Sequence, residues 1–228
     1  MKNTEQAPRI DMLDLTSLTE TDQFLLTLDL AKDLAQTKLQ SFAQSQDFEN
    51  SMALAFGQGR SVDNLRSIWL TGKISFPAIE IRTKTELGGA YGAFSQDTGK
   101  IYLSQELINN SSIDLVLSVL LGEYGHYVDT QLNTTDSLGD EGAIFSSLVQ
   151  GKTFESEQLQ QLQAKDDTAV ITLNGQEIQI EQASISDSGG EGGVTKTLTL
   201  DPLPQGQTEK NVTLNYFYEH YSIPDQFE

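Results

Sequence analysis

A glutamate and a histidine stand three positions apart in the run Gly122-Glu123-Tyr124-Gly125-His126. On a helix that spacing puts both side chains on one face. A carboxylate and an imidazole are both side chain types that can carry acid–base chemistry. Asp129 follows three residues after the histidine, and Asp140 and Glu141 come eleven and twelve residues later. Plainer readings exist for each residue. Glu123 and His126 suit an i, i+3 helix pair. Glu141 suits the first turn of a helix, where a carboxylate is favoured anyway. Asp129 can simply end its helix. Gly125 fits none of these, because glycine inside a helix costs about 1 kcal/mol against alanine. A strand or substrate backbone passing close by would account for it.

The elements that must position these residues can be read from periodicity. Thr19 with Asp22 marks a helix start, and apolar residues recur at helical spacing to about Phe42. A second helix spans 48–56 and stops at Gly57, and a third runs from Val62 to Leu70. Alternation then predicts strands at 78–82, 90–94 and 100–103, the last two joined by the loop 95–99. Ser111, with Asp114 three residues on, predicts a capping box for a helix over 112–130. Its apolar residues fall on nearly every side, so it should be buried, yet it runs straight into Glu123 and His126. A helix follows from Asp140 to Val149, then a glutamine-rich one over 155–163. Asn174-Gly175 predicts a hairpin between strands 169–173 and 176–180. The fold class expected is α+β, with N-terminal helices, a small mixed or antiparallel sheet, the buried helix and a terminal hairpin.

Composition narrows the partners. Acidic residues outnumber basic ones 33 to 14, a formal net charge of −19, which argues against nucleic acid and anionic membrane surfaces. There is no cysteine, hence neither a disulfide framework nor a thiolate zinc site. No run is long and apolar enough to span a membrane. The acidic balance fits a secreted or cell-surface protein exported without a cleaved N-terminal signal; the other reading is cytoplasmic. Residues 1–18 read as an extended lead-in and 19–183 as the main domain. Residues 184–194 read as a Gly/Ser linker, and 195–228 as the start of a second, sandwich-like β-domain that continues in a longer chain beyond Glu228. His220, in that last segment, reads as structural.

Residues 87–154 resemble the core of the zincin metallopeptidases, in particular those similar to the anthrax lethal factor catalytic domain. The resemblance rests on Glu123-Tyr124-Gly125-His126-Tyr127-Val128-Asp129, on the strand segment Ala90-Tyr91-Gly92-Ala93-Phe94 with 97–104 after it, and on Asp140-Glu141-Gly142-Ala143. It implies zinc, with Glu123 as general base and His126 and Glu141 as ligands. It also implies an edge strand, residues 90–94, along which a polypeptide substrate would pair. Zincins carry His-Glu-x-x-His, and here Gly122 stands in place of the first histidine. Asp129 or Asp140 would then have to complete the site. One histidine with two or three carboxylates suits Ca²⁺, Mn²⁺ or Mg²⁺ better than Zn²⁺. Residues 20–183 also resemble a domain of large cyanobacterial proteins with calcium-binding repeats, which implies a secreted or surface protein. The expectation is a degenerate, weak or inactive peptidase-like domain. The alternatives are a non-catalytic module that binds calcium or a polypeptide, and a purely structural domain.

Overall fold

The computed structural model describes residues 20–183 and 185. The lead-in, its cap at Thr19, most of the linker, the expected second β-domain and His220 lie outside the described residues.

The fold is α+β, with seven helices and a five-stranded mixed sheet among the described residues. Helix α1 (Glu20–Gln44) buries Leu28, Ala31, Ala35, Leu39 and Phe42, a 3–4 spacing that lines one face. Helices α2 (Phe48–Phe56) and α3 (Asp63–Leu70) follow. Between them and the later helices lies an aromatic core of Phe42, Phe48, Phe56, Trp69, Tyr124 and Phe145, several at edge-to-face angles. Trp69 Nε1 donates to Tyr124 Oη at 3.2 Å, so two polar atoms that the core would otherwise strand satisfy each other.

Strand β1 (Ala78–Arg82) runs parallel to β3 (Lys100–Ser104), and β2 (Gly92–Ser95) runs antiparallel to β3. Ser104 caps the short α4 (Gln105–Asn110), its Oγ accepting from Leu107 N at 3.0 Å. Helix α5 (Ile113–Leu132) is buried along most of its length, as its all-round apolar pattern requires. Its cap is Ser112, not Ser111: Ser112 Oγ accepts from Leu115 N, which leaves Asp114 outside a capping box. Helices α6 (Glu141–Val149) and α7 (Ser156–Gln163) follow, then the hairpin β4 (Thr168–Leu173) and β5 (Gln176–Glu181). Both turn residues take positive φ, Asn174 at 53° and Gly175 at 79°, as the sequence demands.

The strand order is β1-β3-β2-β5-β4. This corrects the expectation for residues 90–94. Ala90 and Tyr91 precede the strand, and Gly92, Ala93 and Phe94 lie in β2, flanked by β3 on one side and by β5 at Phe94 and Glu181 on the other. The terminal hairpin has joined the sheet at the place where an open edge was expected. Its apolar face (Ile171, Leu173, Ile178, Ile180) packs with Leu87, Ala93 and Tyr102 into a second, smaller cluster.

Candidate functional site

Three glycines set the geometry. Helices α5 and α6 cross so closely that a Cβ on Gly125 would lie 2.9 Å from Gly142 Cα. One on Gly142 would lie 2.6 Å from His126 Nε2 and 2.7 Å from the carbonyl oxygen of Gly122. Real Cβ atoms do not come that near, so glycine is required at the contact. Gly125 therefore answers to the neighbouring helix, not to a strand or a substrate backbone. The crossing carries Glu141, the first residue of α6, onto the imidazole: Glu141 Oε1 pairs with His126 Nδ1 at 2.7 Å. Both side chains are fully buried.

The other expected residues carry hydrogen bonds of their own, although ligand atoms of Asp140, Asp167 and His126, and of Asp129, Asp136 and Glu141, also lie within 4.8 Å of one another. Asp129 is also buried, but its oxygens hold the loop after α5. Asn133 Nδ2 and Ser137 Oγ each donate to Oδ1 at 2.6 Å, and Ser137 N donates to Oδ2 at 3.2 Å. Asp140 caps α6, accepting from Ala143 N at 2.9 Å, and pairs with Lys165 Nζ at 3.2 Å. Glu123 is fully buried and bonds to neither His126 nor Glu141. Its Oε1 accepts from the backbone N–H of Ala183 at 3.3 Å, and its Oε2 has no partner. A Cβ on Gly92 would fall 2.8 Å from that Oε1, so glycine in β2 makes the space for Glu123.

The space beside Gly122 is filled. A Cβ on Gly122 would meet Ala183 Cβ at 2.5 Å and Ile185 Cδ1 at 3.4 Å. The segment after β5 lies across α5 there. It is fastened by Gln182 N donating to Asp167 O at 3.0 Å and Gln182 Nε2 donating to Leu87 O at 3.1 Å.

Two acidic residues join the site that sequence reasoning missed. Asp167 Oδ2 stands 3.8 Å and Glu181 Oε2 3.5 Å from His126 Nδ1. Glu181 continues the alternation of Gln176–Glu181, in which Ile178 and Ile180 face the small cluster and 177, 179 and 181 face the other way. Residues 177 and 179 are exposed, whereas Glu181 is half-buried and its Oε2 reaches His126 on α5. Nothing in the local sequence separates Glu181 from a solvated strand residue.

The electrostatics follow from burial. Burial raises Glu123 to about 8, opposed by His126 and reinforced by Asp140 and Asp167. Burial likewise raises Asp167 to about 7 and Glu181 to about 8, with neighbouring carboxylates adding to it and His126 working against it. Burial alone would lower His126. The charge and hydrogen bond of Glu141, helped by Glu123 and Asp167, outweigh it and hold the imidazole well above its ordinary value. Tyr124, pushed up to about 12 by burial, packs in the aromatic core with its hydroxyl protonated near neutrality.

Comparison with protein-family models, with curated proteins and with solved structures finds no match for this chain.

Proposed function

We propose that this is a zincin-like domain that does not hydrolyse peptides, because its own C-terminal hairpin takes the position of a substrate. The observation that carries the reading is the contact at Gly122. Ala183 and Ile185 fill the space a first metal histidine would need, and the N–H of Ala183 occupies the carboxylate that would activate water. Strand β5 lies antiparallel beside β2, as a bound polypeptide would. The likeness to zincins is supported by Glu123 and His126 on a buried helix and by Glu141 meeting His126 from the next one. The acidic charge and the resemblance to domains of calcium-repeat proteins support a place in a larger secreted or surface protein.

The test is proteolysis of casein and of a mixed peptide pool by the purified chain with Zn²⁺ or Mn²⁺ supplied, beside Glu123→Gln. The reading expects no cleavage above the variant's background. Turnover that disappears in Glu123→Gln would contradict it. Glu123→Gln keeps the shape and the bond from Ala183, so loss of folding is not expected to confuse the comparison.

A further inference from the structure

The same hairpin that covers Gly122 brings a new carboxylate to His126. We propose that His126 Nδ1, Glu141 and Glu181 form a site for one divalent first-row transition ion, zinc or manganese in character, with Asp167 flanking it. This inference does not depend on the absence of peptidase activity.

Convergence on one atom is the first argument. Oxygens from α6, from the segment before β4 and from β5 all point at His126 Nδ1, at 2.7, 3.8 and 3.5 Å. A single N–H can satisfy one of them, and Glu141 Oε1 has it. The donor atoms of His126, Glu141 and Glu181 lie within 4.8 Å of one another. Two ligand atoms bound at about 2.1 Å in a tetrahedral arrangement sit about 3.4 Å apart, which the 3.5 Å approach of Glu181 already matches. The 2.7 Å pair is a hydrogen bond as it stands, and Glu141 would draw back by about 0.7 Å to share an ion.

Unanswered polarity is the second. Glu141 Oε2 and Asp167 Oδ2 are buried without a hydrogen-bond partner, on side chains that are 0% and 3% exposed. Buried polar atoms in folded proteins are nearly always partnered, and a bound ion is one answer. Among the described residues no lysine or arginine forms an ion pair with Glu141, Asp167 or Glu181; Lys165 pairs with Asp140 instead.

Chemistry selects the ion. Counting carboxylates alone favoured Ca²⁺, Mn²⁺ or Mg²⁺, but the imidazole nitrogen stands at the centre of the cluster, and it is a poor ligand for Ca²⁺ and Mg²⁺, which take oxygens, and a good one for zinc and its neighbours. The other ring nitrogen is not available, since α6 closes over Nε2 at Gly142. The ion therefore lies on the hairpin side of the ring, where it ties β5 to α5 and α6. Glu181 supplies the ligand that Gly122 cannot.

The test uses the full chain, stripped with a chelator that is then removed, and titrated with ZnCl₂, MnCl₂ and CaCl₂. Calorimetry and melting temperature are followed, with Co²⁺ absorption as a probe of coordination. Glu181→Gln is the key variant, because it keeps the shape while weakening the ligand, and its metal-free melting curve reports whether it folds. The proposal expects about one Zn²⁺ or Mn²⁺ per chain, a melting temperature that rises with the ion, and at least about a ten-fold weaker affinity in Glu181→Gln, a loss that even an outer partner of a metal site can cause. No binding of either ion, binding of Ca²⁺ alone, or affinity unchanged in a folded Glu181→Gln would each overturn it.

Discussion

Gly142 shows how much one missing side chain decides here. An added methyl would press on His126 and on the carbonyl oxygen of Gly122, and the backbone atom cannot swing away. Alanine favours a helix by about 1 kcal/mol over glycine, but overpacking a tight core typically costs about 1–3 kcal/mol, so the clash should win. Gly142→Ala is expected to lower the denaturant midpoint with the slope unchanged; a midpoint at or above wild type would show that the helices can part cheaply. Tyr124 makes the opposite case, where one atom must stay. Tyr124→Phe leaves Trp69 Nε1 buried without its acceptor, a loss of about 1–3 kcal/mol by the same unfolding measurement. An unchanged midpoint would mean that Trp69 finds another acceptor.

At the scale of elements, β1 and β3 are joined on one face by Glu80, which pairs with Arg82 and with Lys100 Nζ at 2.8 Å. The hydrogen bond from Lys100 is the largest cause holding the Glu80 carboxyl below its ordinary 4.5; burial opposes it and Arg82 adds to it. A carboxyl depressed in the folded state stabilises above its ordinary value, and the gain fades as the pH falls through the folded value. Glu80→Gln should therefore melt slightly below wild type at about pH 7, and the gap should narrow as the pH falls below the ordinary 4.5. A gap that stays constant across that range would mean that Glu80 acts through packing and not through charge.

The elements themselves were largely legible in the sequence, because local signals wrote them. Gly57 announced the end of α2, Asn174-Gly175 its turn, and the all-round apolar surface of α5 its burial. The meeting of His126 with Glu141 was also foreseeable, but only from the resemblance. What stayed hidden depends on contacts distant in sequence. Residues 90–94 had the composition of an edge strand, and only the return of β5, some eighty residues later, closes that edge. Glu181 and Asp167 were missed for the same reason, and so was the segment over Gly122. Gly125 was marked as anomalous, but its neighbour, Gly142 on α6, could not be named from α5 alone.

For the whole molecule, the two apolar clusters lie on opposite faces of one sheet, and β2 belongs to both through Phe94 and Ala93. The hairpin is thus anchored through the small cluster while the segment beyond it reaches the helices at Gly122 and Glu123. That arrangement accounts together for the filled space at Gly122, the burial of Glu123 and the pairing of β2 on both sides. No described helix is long and apolar enough to cross a membrane. Covering Gly122 and Glu123 requires that 182 and 183 rest on the helical core in solution. Residue-resolved hydrogen exchange by NMR on the unaltered chain reads this directly. The amides of Gln182, donating to Asp167 O, and of Ala183, donating to Glu123 Oε1, should be protected by about a hundred-fold or more, near the level of β5. Exchange of both at the rate of an open chain, while β5 stays protected, would contradict it.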